Sequence, residues 1–434
     1  MKSRASSEAH AKWLTAFAAA GNRTGMTSSL LERYDRVRRR TREIFASVAP
    51  EAFDQRPIPL RHPIRFYEGH LASFNFGMLL QGGAVSSDPD PALTQLFARG
   101  IDPLDQQAAE RASISTWPDR ATVAAYDARV DKTMRDAFST DIDPIFLHTA
   151  LEHEEMHQET LMYLIHRLPP EMKRERNGVQ RTTTPRSRPV EWIRINGGTA
   201  RMGVEPGTVP FGWDNEFPSA SEEVAEFEIA SHKVTNGEYL EFVQAGGYQD
   251  EQVWDAAAWR FLQSEGITAP QYWKQCGDTW QYDGLFAPMP LPLDWPVYVS
   301  HVEAVAFARW RGCRLPTEAE WHLAAEQAPA PERERDSFDF ATWNPVAVAT
   351  NGAGLSQMVG NGWEWTSTVF AGFPGFQPFA HYPGYSADFF DGRHFVLKGA
   401  SPVTPAELVR PSFRNGFQDQ YRHAYTAFRC ARDV

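Results

Sequence analysis

The chain has 434 residues, 42% of them hydrophobic and 23% charged, with a formal charge of −12 at pH 7. That length allows two or three cores, and the acidic balance speaks against a nucleic-acid partner. No apolar run nears the ~20 residues that cross a bilayer. Three cysteines (Cys276, Cys313, Cys430) without a Cys-x-x-Cys spacing suit a reducing cytoplasm.

Residues 1–27 read as an N-terminal extension. Its LTAFAAAG run is too short, and too soon followed by polar GNRTG, for a secretion signal. SSLLERYDRVRRRTREIFASV then places Leu30, Leu31, Tyr34, Val37, Ile44 and Val48 on one helical stripe. Further helices are expected over 64–80 and 120–138. A fourth opens at Asp143-Pro144, a capping residue followed by proline, and runs to about His166. Four such helices predict an antiparallel bundle over 28–175. The polar Thr/Arg/Pro stretch 176–189 reads as a linker. Beyond it, 190–434 is rich in Gly, Trp and Pro, which predicts loops around small sheets. Two short helices are expected there, near NGEYLEFVQAG and HVEAVAFARWRG.

The fourth helix contains LEHEEMHQET, which fits the zinc-protease pattern H-E-x-x-H. At 100° per residue, His157 lies about 40° from His153, so both belong to the inward stripe. Glu155, Glu159 and His148 fall about 200–240° away, where solvent is expected. A single buried histidine is ordinarily a core residue bonded to a carbonyl or carboxylate. Two on one inward stripe at i, i+4 point instead to a shared metal. A protease needs a third ligand downstream, but Pro169 and Pro170 end the helix, leaving only Glu171 and Glu175 beside the linker. Upstream, His70 sits within the second helix and His62 at its start, before Pro63. His70 is the better third ligand, giving three histidines with open positions.

The C-terminal half resembles the formylglycine-generating-enzyme-like (sulfatase-modifying-factor) domain, an irregular fold related to C-type lectins. The match is carried by WIRINGGTARMG, RLPTEAEW, VGNGWEWTSTVF and RPSFRNGF…AFRCARDV. Those motifs are core and turn residues of that fold, and the cysteine pair that makes formylglycine is not evident. The N-terminal half resembles DinB-like four-helix bundles, in which one histidine from the second helix joins an H-x-x-x-H pair. His70, His153 and His157 match that set. Together the two halves resemble the EgtB-like sulfoxide synthases of ergothioneine biosynthesis, an α+β architecture. The resemblance implies non-heme Fe(II) as cofactor, with hercynine, O2 and a thiol as co-substrates.

The departures from that family have one direction. Met156 replaces a glutamine that contacts the substrate imidazole. ERASISTWPDR keeps Arg111 but lacks a second arginine. After Arg414 and the retained Asn415, Gly416 and Phe417 replace Trp and Asp. A pocket without that arginine and that aspartate suits a donor less charged than γ-glutamylcysteine or cysteine. HPIRFYEGHL is also similar to the selenoneine synthase branch, which joins a selenosugar to hercynine through a C–Se bond. Within the family the alternative is a sulfoxide synthase with an unusual thiol pocket. Outside it stand a zinc-dependent DinB-type thiol transferase and a lectin-like sugar-binding module. HYPGYSADFF resembles the segment carrying an active-site tyrosine, which is Tyr382 or, second, Tyr385. Site residues expected from the resemblance are therefore His70, His153, His157 (metal), Tyr382 (catalytic), Met156, Asn415 and Phe417 (substrate).

Overall fold

The computed structural model describes residues 23–59, 61–88, 90–98, 117–175, 189–348 and 354–434. The expected linker up to residue 188, the extension up to residue 22 and the Arg111 segment lie outside them. Two compact units divide the chain, within Ala20–Asn177 and Gly178–Val434.

The first unit is helical. Its elements are α1 (Arg23–Ala46), α2 (Ile64–Gln81), α3 (Pro91–Phe97), α4 (Arg120–Ala137) and α5 (Pro144–His166). Capping sets the starts of α4 and α5. Asp119 accepts from Thr122 N at 2.7 Å, and Asp143 from Ile145 N at 3.0 Å with Pro144 following. The short α3 was not expected; it begins at Asp90-Pro91, where Asp90 accepts from Leu93 N at 3.3 Å. Helix α2 packs on α3, α4 and α5, and α1 packs on α5. A bridge between Val48 and Lys173 ties the end of α1 to the chain after α5.

One expectation about α5 is corrected. Glu155, Glu159 and His148 are buried, as is Glu152. Helix α1 covers that face with cations. Arg33 Nε donates to Glu155 Oε1 at 3.1 Å and its guanidinium lies 3.5 Å from Glu152. Gln158 Nε2 donates to the Val37 carbonyl and Thr41 Oγ1, both at 3.0 Å. Paired charges can be buried where isolated ones cannot, so polarity alone misassigns this face.

The second unit is built from four small sheets. One joins Trp192–Ile195, Phe227–Ala230 and Ala431–Asp433, with Phe227–Ala230 central. Another runs Asn415–Gln418, His394–Ala400, Gly362–Val369 and Thr426–Ala427, the last pair parallel. Helices α6 (Asn236–Gln244), α7 (Ala256–Glu265), α8 (His301–Arg311) and α9 (Glu318–Gln327) pack among them. The two expected helices are α6 and α8. The others carry end signals the sequence reading passed over: Asp255 caps α7, Gly266 closes it at φ 62°, and Thr317 with Glu320 forms a capping box on α9. The signature motifs are structural here. Glu364 of GWEWT is buried against Arg429 (2.6 and 2.8 Å) and Lys233 (3.0 Å). Glu318 of PTEAEW is bidentate with Arg414, at 2.9 and 3.0 Å. No described helix is long and apolar enough to cross a membrane.

Candidate metal centre

The i, i+4 spacing on α5 brings His153 and His157 onto one face, their Nε2 atoms 3.1 Å apart. Helix α2 supplies His70, whose Nε2 lies 3.3 Å from His157 Nε2. One ligand atom from each of the three falls within 4.8 Å of the others. Among the described residues this is the one cluster of its kind; Glu171 and Glu175 are exposed and outside it. His62 is outside it too, its ring stacked 4.0 Å from Phe66.

His70 is oriented from behind. Its Nδ1 lies 2.8 Å from the Phe97 carbonyl at the end of α3, so Nδ1–H donates and the lone pair sits on Nε2. Gly69 makes this possible. A Cβ there would stand 2.4 Å from the Phe97 ring, so only glycine lets α3 approach so closely. The sequence reading missed Phe97. Its one signal was the glycine before His70.

All three imidazoles are held neutral. Burial pushes the His70 conjugate acid down to about 4, against a weaker opposing effect of the Phe97 bond. Burial, then the other imidazoles, pushes His153 well below the usual range. His157 goes the same way through burial, His70, Arg61 and His62. Three neutral imidazole nitrogens at these separations suit one shared cation. Nitrogens bound to one ion at ~2.1 Å with angles of about 90–110° stand about 3.0–3.4 Å apart. The donor set therefore fits a divalent first-row metal such as iron or zinc. Aromatic rings wall the cluster: Phe74 stacks on His153 at 3.4 Å, Phe66 on His70 at 5.0 Å, and Tyr67 lies 5.6 Å from His157.

The glutamate of H-E-x-x-H is committed elsewhere. Glu154 is buried, and Oε1 accepts from Arg38 Nη1 at 2.9 Å and Thr41 Oγ1 at 2.7 Å. Its Oε2 accepts from Asn75 Nδ2 at 3.1 Å. Both oxygens serve the packing of α1, α2 and α5, which leaves none to act as a peptidase base.

Met156 is half-buried on α5, beside His157, and its carbonyl accepts from Thr160 Oγ1 at 3.3 Å. The remaining expected residues belong to the second unit. Asn415 and Phe417 share one face of the strand Asn415–Gln418, paired with Leu397 and Phe395. Phe417 stacks on Tyr421 at 5.0 Å and 8°. Gly416, between them, faces Phe370, whose ring would lie 2.9 Å from a Cβ. Tyr382 lies in the irregular segment after Val369, 6.3 Å from Trp213 between ring centres; Tyr385 stacks on Trp213 at 3.8 Å. Burial, helped by Asp214 and Asp388, pushes the Tyr382 phenol up to about 12.

Residues 179–434 match the sulfatase-modifying factor enzyme 1-like domain. Over 408 residues the chain is 32% identical to the hercynine oxygenase of Mycobacterium tuberculosis, covering 87% of this chain and 92% of that protein. The chain belongs to the hercynine oxygenase family. A second member, from Mycolicibacterium thermoresistibile, is 31% identical over 423 residues, with 87% and 88% of the two chains covered. The ergothioneine biosynthesis protein 1 of Schizosaccharomyces pombe is 28% identical over 432 residues, and the match spans 52% of that longer protein. The hercynine oxygenase alignments cover 87% of the chain, more than the C-terminal domain alone could supply.

Proposed function

We propose that the protein is a cytoplasmic non-heme Fe(II) enzyme that uses O2 to join a chalcogen atom to C2 of the hercynine imidazole. The observation that carries this is the convergence of three neutral histidines, His70 and His153 buried and His157 half-buried, in a chain of the hercynine oxygenase family. His70, His153 and His157 would hold the metal in a DinB-like four-helix bundle. Bound Fe(II) would supply O2 activation, and three neutral ligands leave it able to accept an anionic chalcogen donor. Phe66, Tyr67 and Phe74 pack their rings against the three ligands. The Phe97 carbonyl fixes the His70 tautomer. Tyr382, kept protonated by its surroundings, donates a proton from its phenol oxygen. Met156, Asn415 and Phe417 contact the substrates.

The names of the relatives support a reaction on hercynine of the ergothioneine type, for which the alternative donor is a thiol, γ-glutamylcysteine or cysteine. The residues at the donor positions support a different donor. Phe417 offers an apolar face beside Tyr421 and no charge, which suits a sugar ring. We therefore assign a selenosugar as donor, with C–Se bond formation towards selenoneine. The test is anaerobic Fe(II) reconstitution, then O2 and hercynine with a 1-seleno-hexosamine, its thiosugar analogue or γ-glutamylcysteine, with products identified by mass. Turnover of γ-glutamylcysteine alone would replace the selenosugar by a thiol as the donor. The same nitrogen set also fits zinc, so a protein purified with stoichiometric zinc and inactive with iron would instead be a DinB-type thiol transferase.

A further inference from the structure

The segment carrying Tyr382 has little regular structure of its own. Between Phe370 and Arg393 its one regular element is the 3-10 turn Ala387–Phe389. Three consecutive residues from elsewhere in the same unit hold it. Trp213 lies flat on Tyr385 and meets Tyr382 edge-on, at 64°. Asn215 Nδ2 donates to Ser386 Oγ at 2.9 Å, and the Ser386 hydroxyl donates in turn to Asp214 Oδ1. The turn is closed on itself: Tyr385 N donates to the Tyr382 carbonyl at 3.3 Å and Tyr382 N to that of Phe379 at 3.2 Å.

Asp214, Asn215 and Ser386 are all buried. The groups acting on the Asp214 carboxyl are the Ser386 hydroxyl, the backbone of Asn215 and Phe379, and the Glu216 carboxylate, with no cation among them. Burial raises its carboxyl above the usual range. A buried carboxyl without a cationic partner is a costly way to fill a core. It is explained if the hydrogen bond to Ser386 has a directional task. We propose that Asp214 and Ser386 are positioning residues for Tyr382: the Asn215–Ser386–Asp214 chain fixes the 382–386 turn and, through it, the direction of the phenol. This rests on the reading of Tyr382 as proton donor given above.

Two measurements on the full, iron-loaded chain test it. The first is a double-mutant cycle on kcat for product formation. Tyr382→Phe is expected to lower kcat about 10²-fold, and Ser386→Ala by about tenfold with KM for hercynine unchanged. The double variant should be no slower than Tyr382→Phe alone. Asp214→Asn retains an acceptor for the Ser386 hydroxyl and should stay near the wild-type rate, whereas Asp214→Ala should match Ser386→Ala. The second is amide hydrogen exchange, which Ser386→Ala should accelerate within 379–390 and nowhere else. Multiplying rate losses in the double variant, or exchange unchanged by Ser386→Ala, would overturn the proposal. If the wild type forms no product from any donor, the proposed reaction fails, while exchange still decides whether Asp214 and Ser386 hold the segment.

Discussion

Replacing Glu154 separates the structural from the chemical meaning of H-E-x-x-H. Glu154→Ala removes three buried hydrogen bonds, from Arg38, Thr41 and Asn75. It also leaves the buried Arg38 guanidinium with Asp127 and, at 3.7 Å, Asp131 as its remaining partners. Breaking a buried charge pair costs about 3–5 kcal/mol. Because Asp127 and Asp131 stay, we expect the lower end, about 3 kcal/mol. For a helical unit of this size, that corresponds to a fall in Tm of about 6–12 °C, at roughly 2–4 °C per kcal/mol. Glu154→Gln should be milder. Its Oε1 still accepts from Arg38 and Thr41, and rotation of the Asn75 amide presents Oδ1, which has no partner in the native arrangement, to the new Nε2–H. About 1–2 kcal/mol is expected for that variant. Thermal melts followed at 222 nm read the loss, and metal analysis reads the site. Glu154→Gln should melt slightly early, keep its iron, keep its turnover, and cleave no peptide when zinc-loaded. An unchanged melt with lost turnover and full iron content would refute the structural assignment and make Glu154 a reacting group.

Further predictions follow from the same geometry. Alanine at His70, His153 or His157 should remove most bound iron, whereas His62→Ala should retain it; iron analysis after reconstitution reads both. Gly69→Ala places a methyl within 2.4 Å of the Phe97 ring, and overpacking of this kind costs about 1–3 kcal/mol; iron affinity should fall with stability, and Phe97→Leu in the same chain should restore part of both. His301 is buried, and burial pushes it down to about 4, so the unfolded chain takes up its proton near pH 6.5 while the folded chain does not. The stability of the second unit should therefore fall as pH drops from about 6.5 to 4, by up to about 3 kcal/mol, and His301→Gln should flatten that part of a urea-midpoint profile. Phe417→Asp should lower kcat/KM for the selenosugar relative to γ-glutamylcysteine, and an unchanged ratio in a folded variant would remove Phe417 from the donor pocket.

Local rules made much of this protein legible in its sequence. Asp143-Pro144 marks the start of α5, and the i, i+4 spacing puts His153 and His157 on one face whatever surrounds them, because both follow from backbone geometry. His70 could be named from the sequence because it lies within a helix of aromatic residues, a poor place for an unpartnered imidazole. The departures at Met156, Gly416 and Phe417 are likewise visible without coordinates. Tertiary structure decided the rest. Helical periodicity assigns Glu155, Glu159 and His148 to solvent, yet all three are buried, and for Glu155 the reason is Arg33 of α1, which arrives from more than a hundred residues away to pair with it and with Glu152. The same long-range pairing turns Glu154 from an apparent catalytic base into a packing residue. The Phe97 carbonyl that sets the His70 tautomer is a backbone group, which no residue type encodes. A helix carries its own periodicity in its sequence, but the charge and carbonyl that face each side chain come from other parts of the chain, and only folding brings them there.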